Sequence, residues 1–142
     1  MVPKLAVLIS CVLMLVALVS LPGSALASGG YDYGVVHDYC GGGYNWTTFY
    51  KVREIADGTT GANKLTIDSW AQARDPGHPH WYTAQTWPRV STTFTPDGSY
   101  HHLTLARKFR GGLDTGVRIV FKLSAWDHGL LAWTQTIRST VC

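Results

Sequence analysis

The sequence predicts an all-β fold, an antiparallel β-sandwich of about seven strands closed by one disulfide. Three observations carry this. Apolar and polar residues alternate with a period of two along much of the chain, with turn residues recurring at short intervals. No apolar pattern of helical period runs for any length. Two cysteines, Cys40 and Cys142, stand near the two ends of the expected exported domain.

Residues 1–27 read as a signal peptide. Lys4 supplies the positive charge, Leu5 to Leu21 the apolar run, and Ala25-Leu26-Ala27 an A-x-A-like cleavage site. Cleavage after Ala27 leaves residues 28–142 as a single secreted domain, long enough to bury a core. Cys11 leaves with the signal, so the remaining pair, Cys40 and Cys142, is expected to be bonded. That bond closes a loop of about a hundred residues and contributes about 4–5 kcal/mol in the chain-entropy account.

The strands follow in order. Val35 to Cys40 reads as a short edge strand, and Gly41-Gly42-Gly43 as a turn. Trp46 to Ala56 is the next strand, with neither parity cleanly polar. Asp57-Gly58 and Thr59-Thr60-Gly61 turn the chain into Lys64 to Arg74. There Leu65, Ile67, Ser69, Ala71 and Ala73 face inward and Trp70 lies on the polar side; an amphipathic helix over Ser69 to Arg74 is the alternative. Asp75 to His80 reads as a rigid loop. Trp81 to Ser91 contains Pro88, which confines it to an edge strand or two short pieces. Pro96-Asp97-Gly98-Ser99 is a turn, and Tyr100 to Phe109 a strand. The clearest alternation is Val117, Ile119, Phe121, Leu123 and Ala125 against Arg118, Val120, Lys122, Ser124 and Trp126. Asp127-His128-Gly129 then reads as a three-residue hairpin loop, after which Leu131, Trp133, Ile137 and Val141 share a face. The layout points to an Ig-like or jelly-roll-like sandwich, with a closed barrel as the alternative.

Composition bounds the function. The formal charge is +3, and it drops by one without Lys4. So small a net charge argues for neither nucleic acid nor a membrane surface as partner after signal cleavage. The triglycine has no P-loop pattern, and G-x-S-x-G and H-E-x-x-H are absent, so the reading leans away from an enzyme and implies no cofactor. Glu54 is the single glutamate, and no aspartate is singled out as its catalytic partner. His78 and His80 with Asp75 close by suggest a metal-dependent hydrolase as the least favoured reading; a further ligand has to come from elsewhere, such as His102 or Asp97, and no metal-binding spacing supports it.

The aromatic residues are the stronger signal: six Trp, seven Tyr and four Phe. Flat rings stack on the CH faces of sugars while polar neighbours bond hydroxyls. Trp70, Trp81, Tyr82, Trp87 and Trp126 are the candidate ligand-binding residues. Trp70 and Trp126 lie on the polar parity of their strands, and Trp81, Tyr82 and Trp87 cluster beside the Asp75–His80 segment. A small exported β-domain with cysteines near both ends is similar in layout to some cellulose-binding modules, a likeness that implies a fold and no residue role. The expectation is a secreted non-catalytic binding module for carbohydrate or a cell-envelope polymer. The alternative is a protein-interaction or inhibitor module for another extracellular protein.

Overall fold

A computed structural model describes residues 30–112 and 115–142. The expected signal peptide lies outside the described residues. The described chain forms seven strands: β1 (Tyr31–Gly42), β2 (Trp46–Asp57), β3 (Lys64–Asp75), β4 (His78–Thr93), β5 (Tyr100–Arg110), β6 (Gly116–Asp127) and β7 (Leu130–Arg138). They build two antiparallel sheets, ordered β1-β2-β5 and β4-β3-β6-β7. This is the immunoglobulin-type arrangement with the fourth strand placed beside the third instead of the fifth. The sheets pack face to face, β2 over β6 and β5 over β3.

The core follows from alternation. Val117, Ile119, Phe121, Leu123 and Ala125 of β6 and Leu65, Ile67, Ser69, Ala71 and Ala73 of β3 are buried, as the period of two predicts. Opposite them β2 turns Thr48, Tyr50, Val52, Glu54 and Ala56 inward. Glu54 is fully buried, at 0% exposure. It stands between Val52, in a cluster with Ile67, Ile119, Phe121 and Leu123, and Ala56, in a second cluster with Leu65 and Ala125. The buried carboxyl therefore stands between two core clusters, both of which Leu103 and Trp133 pack against.

Several elements differ from their sequence expectation, each for a local reason. β1 starts at Tyr31 and runs twelve residues, because β2 offers a partner along its whole length. The segment after Asp75 is a two-residue turn, and His78 to His80 already belong to β4. No helix forms over Ser69 to Arg74, since β3 is paired on both sides there. Pro88 does not split β4, because the ladder with β3 is irregular between Ile67 and Ser69, opposite Trp87 and Val90. Proline and bulges are both tolerated on an edge strand. The β6–β7 hairpin has a two-residue turn, His128 and Gly129, with φ of 47° and 91°. Positive φ at both positions matches the twist of the flanking strands. A bulge follows: Trp126 pairs with Leu131, but Ala125 pairs with Trp133. Leu131 and Trp133 therefore face opposite ways, and Leu131 is 50% exposed. Val141 is exposed as well.

The open side of the sandwich between β1 and β7 is covalently closed. Cys40 and Cys142 are bonded, with Cα atoms 5.4 Å apart. Beside the bond, Asp38 accepts hydrogen bonds from the Thr140 backbone N–H (2.9 Å) and hydroxyl (2.6 Å). Beyond β7 the chain keeps alongside β6, with the Ser139 and Cys142 amides donating to Ile119 and Val117 carbonyls. Tyr31 of β1 stacks on Trp133 of β7 at 6.0 Å.

Candidate binding face

The solvent side of the β4-β3-β6-β7 sheet gathers three of the five candidate aromatics. The β3–β6 register sets Trp70 opposite Val120, Gln72 opposite Arg118, Asp68 opposite Lys122 and Lys64 opposite Trp126. The β6–β7 register adds Arg138 beside Val120 and Thr136 beside Lys122. The β3–β4 register adds Thr86 beside Trp70. One row across four strands therefore reads Thr86, Trp70, Val120, Arg138. Val120 points away from the core yet is only 1% exposed. The larger side chains beside it lie down over the sheet, as long amphipathic side chains do.

Trp81 holds one end of this face. The Arg118 guanidinium lies 4.0 Å and that of Arg74 4.8 Å from the ring centroid, both within cation–π range. Arg118 Nε also donates to Gln72 Oε1 at 2.8 Å, which fixes the guanidinium over the ring. Burial lowers the Arg118 pKa, and the nearby cations Arg138 and Arg74 lower it further. Trp126 holds the other end, its indole N–H donating to Thr66 Oγ1 at 2.9 Å. Trp70, Trp81 and Trp126 are each half-buried. Asp68 receives two hydrogen bonds from Arg89, at 2.7 and 2.8 Å. Among the described residues, Arg74, Arg118, Arg138, Lys122 and Lys64 have no carboxylate partner.

The other two candidates stand apart. Trp87 pairs with the inward-facing Ser69, packs against the core, and lies under the Arg107 guanidinium. Tyr82 pairs with the inward-facing Ala73 at the β3–β4 corner. Its hydroxyl donates to Asp75 at 3.3 Å, and its ring meets His78 edge-on. A β4 bulge between Thr83 and Gln85 puts Trp87 on the opposite side from Trp81 although the two share a parity. The sequence reading also missed the cations, which come from three strands and are diluted in the net charge. Trp46, at 43% exposure, begins β2 outside the face.

The outer side of the β1-β2-β5 sheet differs. His37, Tyr39 and Phe49 form a ring cluster with centroids 5.2 to 5.9 Å apart. A shallow pocket of ≈ 440 Å³ is lined by Gly30, Asp32, Arg53, Ile55, Tyr100 and His102. His78 pairs with Asp75 at 3.3 Å, and among the described residues no group of three or more His, Cys, Asp or Glu side chains is placed to hold a metal ion. Also among the described residues, no helix is long and apolar enough to cross a membrane. No family model, curated protein or solved structure matches the chain.

Proposed function

We propose that the protein is a secreted, non-catalytic module that binds a carbohydrate or cell-envelope polymer on the outer face of the β4-β3-β6-β7 sheet. The observation that carries this is the placement of Trp70, Trp81 and Trp126, from three different strands, along one sheet face. Half-buried rings offer a flat apolar surface, and the threonines beside them supply hydroxyls for polar contacts. The leader-like start of the chain and the disulfide support export. Affinity electrophoresis through gels containing soluble polysaccharides tests the reading. Retardation of the parent, lost in Trp81→Ala and Trp70→Ala with the fold intact, is the expected result. A parent that migrates freely in every polysaccharide gel refutes it.

The His37, Tyr39 and Phe49 cluster, next to the exposed Val35 and Val36, favours a second reading as a protein-interaction module. Capture of an extracellular protein that is lost in Phe49→Ala and kept in Trp81→Ala would select it.

A further inference from the structure

We infer that the polymer recognised by the Trp70/Trp81/Trp126 face is an anionic polysaccharide, one whose sugar rings carry carboxylates, as in a polyuronate. This rests on the carbohydrate reading above and deepens it.

The first argument is charge. The outer face carries Lys64, Arg74, Arg118, Lys122 and Arg138, whereas its one carboxylate among the described residues, Asp68, is already occupied by Arg89. Arg74 and Arg138 lie close enough to Arg118 to disfavour its positive charge. Unpaired like charges held together on a folded surface oppose folding, and a bound anion relieves that cost. The whole chain has a small net charge, so the excess on this face is local.

The second argument is the coupling of charge to ring. Arg118 and Arg74 both touch Trp81, at 4.0 and 4.8 Å. A sugar lying beside that indole brings a carboxylate attached to its own ring within reach of a guanidinium. A planar guanidinium meets a carboxylate with two parallel hydrogen bonds, which a lysine does not. Among the described residues Arg118 hydrogen-bonds through Nε alone, to Gln72, leaving the rest of the fork to a ligand.

The third argument is length. From Arg118 to Trp126 along β6 is about 27 Å at ~3.4 Å per residue. With Lys122 between them, cations and rings alternate along one strip, which suits a chain with repeated charge.

The test measures binding of the full chain to polygalacturonate, dextran, dextran sulfate and double-stranded DNA at low and raised salt. Lys122→Glu and Arg138→Glu are the first variants, since both side chains are exposed on the strand surface and their loss leaves the core untouched. Arg118→Gln is the second, checked by thermal melting because this side chain is half-buried. Polygalacturonate bound at least ten-fold tighter than dextran, weakened by salt and by each charge variant at least several-fold, is the expected result. Equal binding of dextran and polygalacturonate, unchanged in the variants, overturns the anionic inference and leaves the carbohydrate reading standing. Tighter binding of dextran sulfate overturns the carboxylate assignment, and tighter binding of DNA replaces the polysaccharide. Failure to bind any of the three polysaccharides overturns the inference, and failure in the wider electrophoresis panel as well overturns the carbohydrate reading too.

Discussion

Replacing Glu54 by leucine should stabilise the protein by an amount that grows with pH. Glu54 lies between the sheets, neither carboxylate oxygen has a hydrogen-bond partner among the described residues, and its pKa is pushed up by burial from 4.5 to about 9. The Ser124 backbone favours the anion, but the loss of water outweighs it. The one partly buried cation on the inner side of β5, Arg107, is committed to Ser69 and lies over Trp87. The folded state thus holds the proton more tightly than the unfolded chain. The contribution of Glu54 to stability is most favourable below pH 4.5 and falls by about 1.4 kcal/mol per unit as the pH rises towards 9. At pH 7 the cost of keeping the acid protonated is about 3 kcal/mol, a large part of a typical total of ~5–15 kcal/mol. Leucine removes that cost and joins the two core clusters with an apolar side chain of similar size. Urea denaturation of parent and Glu54→Leu, followed by tryptophan fluorescence from pH 5 to pH 8, measures the difference. Taking the difference cancels the opposite acid-side trend of carboxylates such as Asp75, whose hydrogen bonds with His78 lower its pKa. The stability gap should widen by about 4 kcal/mol across that range. A gap that stays flat with pH would refute the reasoning, since it would mean that Glu54 ionises in the folded protein as it does in the unfolded chain.

Reducing the Cys40–Cys142 bond should cost about 4–5 kcal/mol and lower the melting temperature by some tens of degrees, measured by calorimetry with and without reductant. Trp87→Ala should destabilise by about 3 kcal/mol in urea titrations because the ring packs on the core, whereas Trp81→Ala on the solvent face should cost less than half of that. His128→Gly should stabilise by up to about 1 kcal/mol in the same titration, because a left-handed φ of 47° disfavours histidine and glycine keeps the backbone N–H that donates to Asn63.

The parts of the fold legible in the sequence are those where a strand has one clean buried face. β6 shows this best: every second residue from Val117 to Ala125 is buried as its pattern implies. The pairing of Cys40 with Cys142 was legible by elimination once Cys11 was assigned to the leader. β2 was not, because its pattern is inverted in places. Phe49 and Ile55 share the outer parity with Lys51 and Arg53, while the glutamate points inward. Nothing local reports that Glu54 is buried; only the opposing sheet decides it. Alternation also fails at bulges, which put Leu131 outside and Trp133 inside although they share a parity. The candidate face was partly legible through Trp70 and Trp126, each the odd aromatic on a polar parity. Its arginines were invisible because pairing register, not sequence distance, brings Arg74, Arg118 and Arg138 together.

The bond between β1 and the segment after β7 makes the stretch from Cys40 to Cys142 a covalent ring. A protease that cuts one exposed connection inside that stretch, such as Pro96–Ser99 or the turn at His128, opens the ring without releasing a fragment. The two pieces stay tethered at the edge where the sheets meet, and the strands can remain paired across the cut. Only a second cut, or reduction, lets a piece leave. Ring topology thus separates the first nick from loss of the molecule.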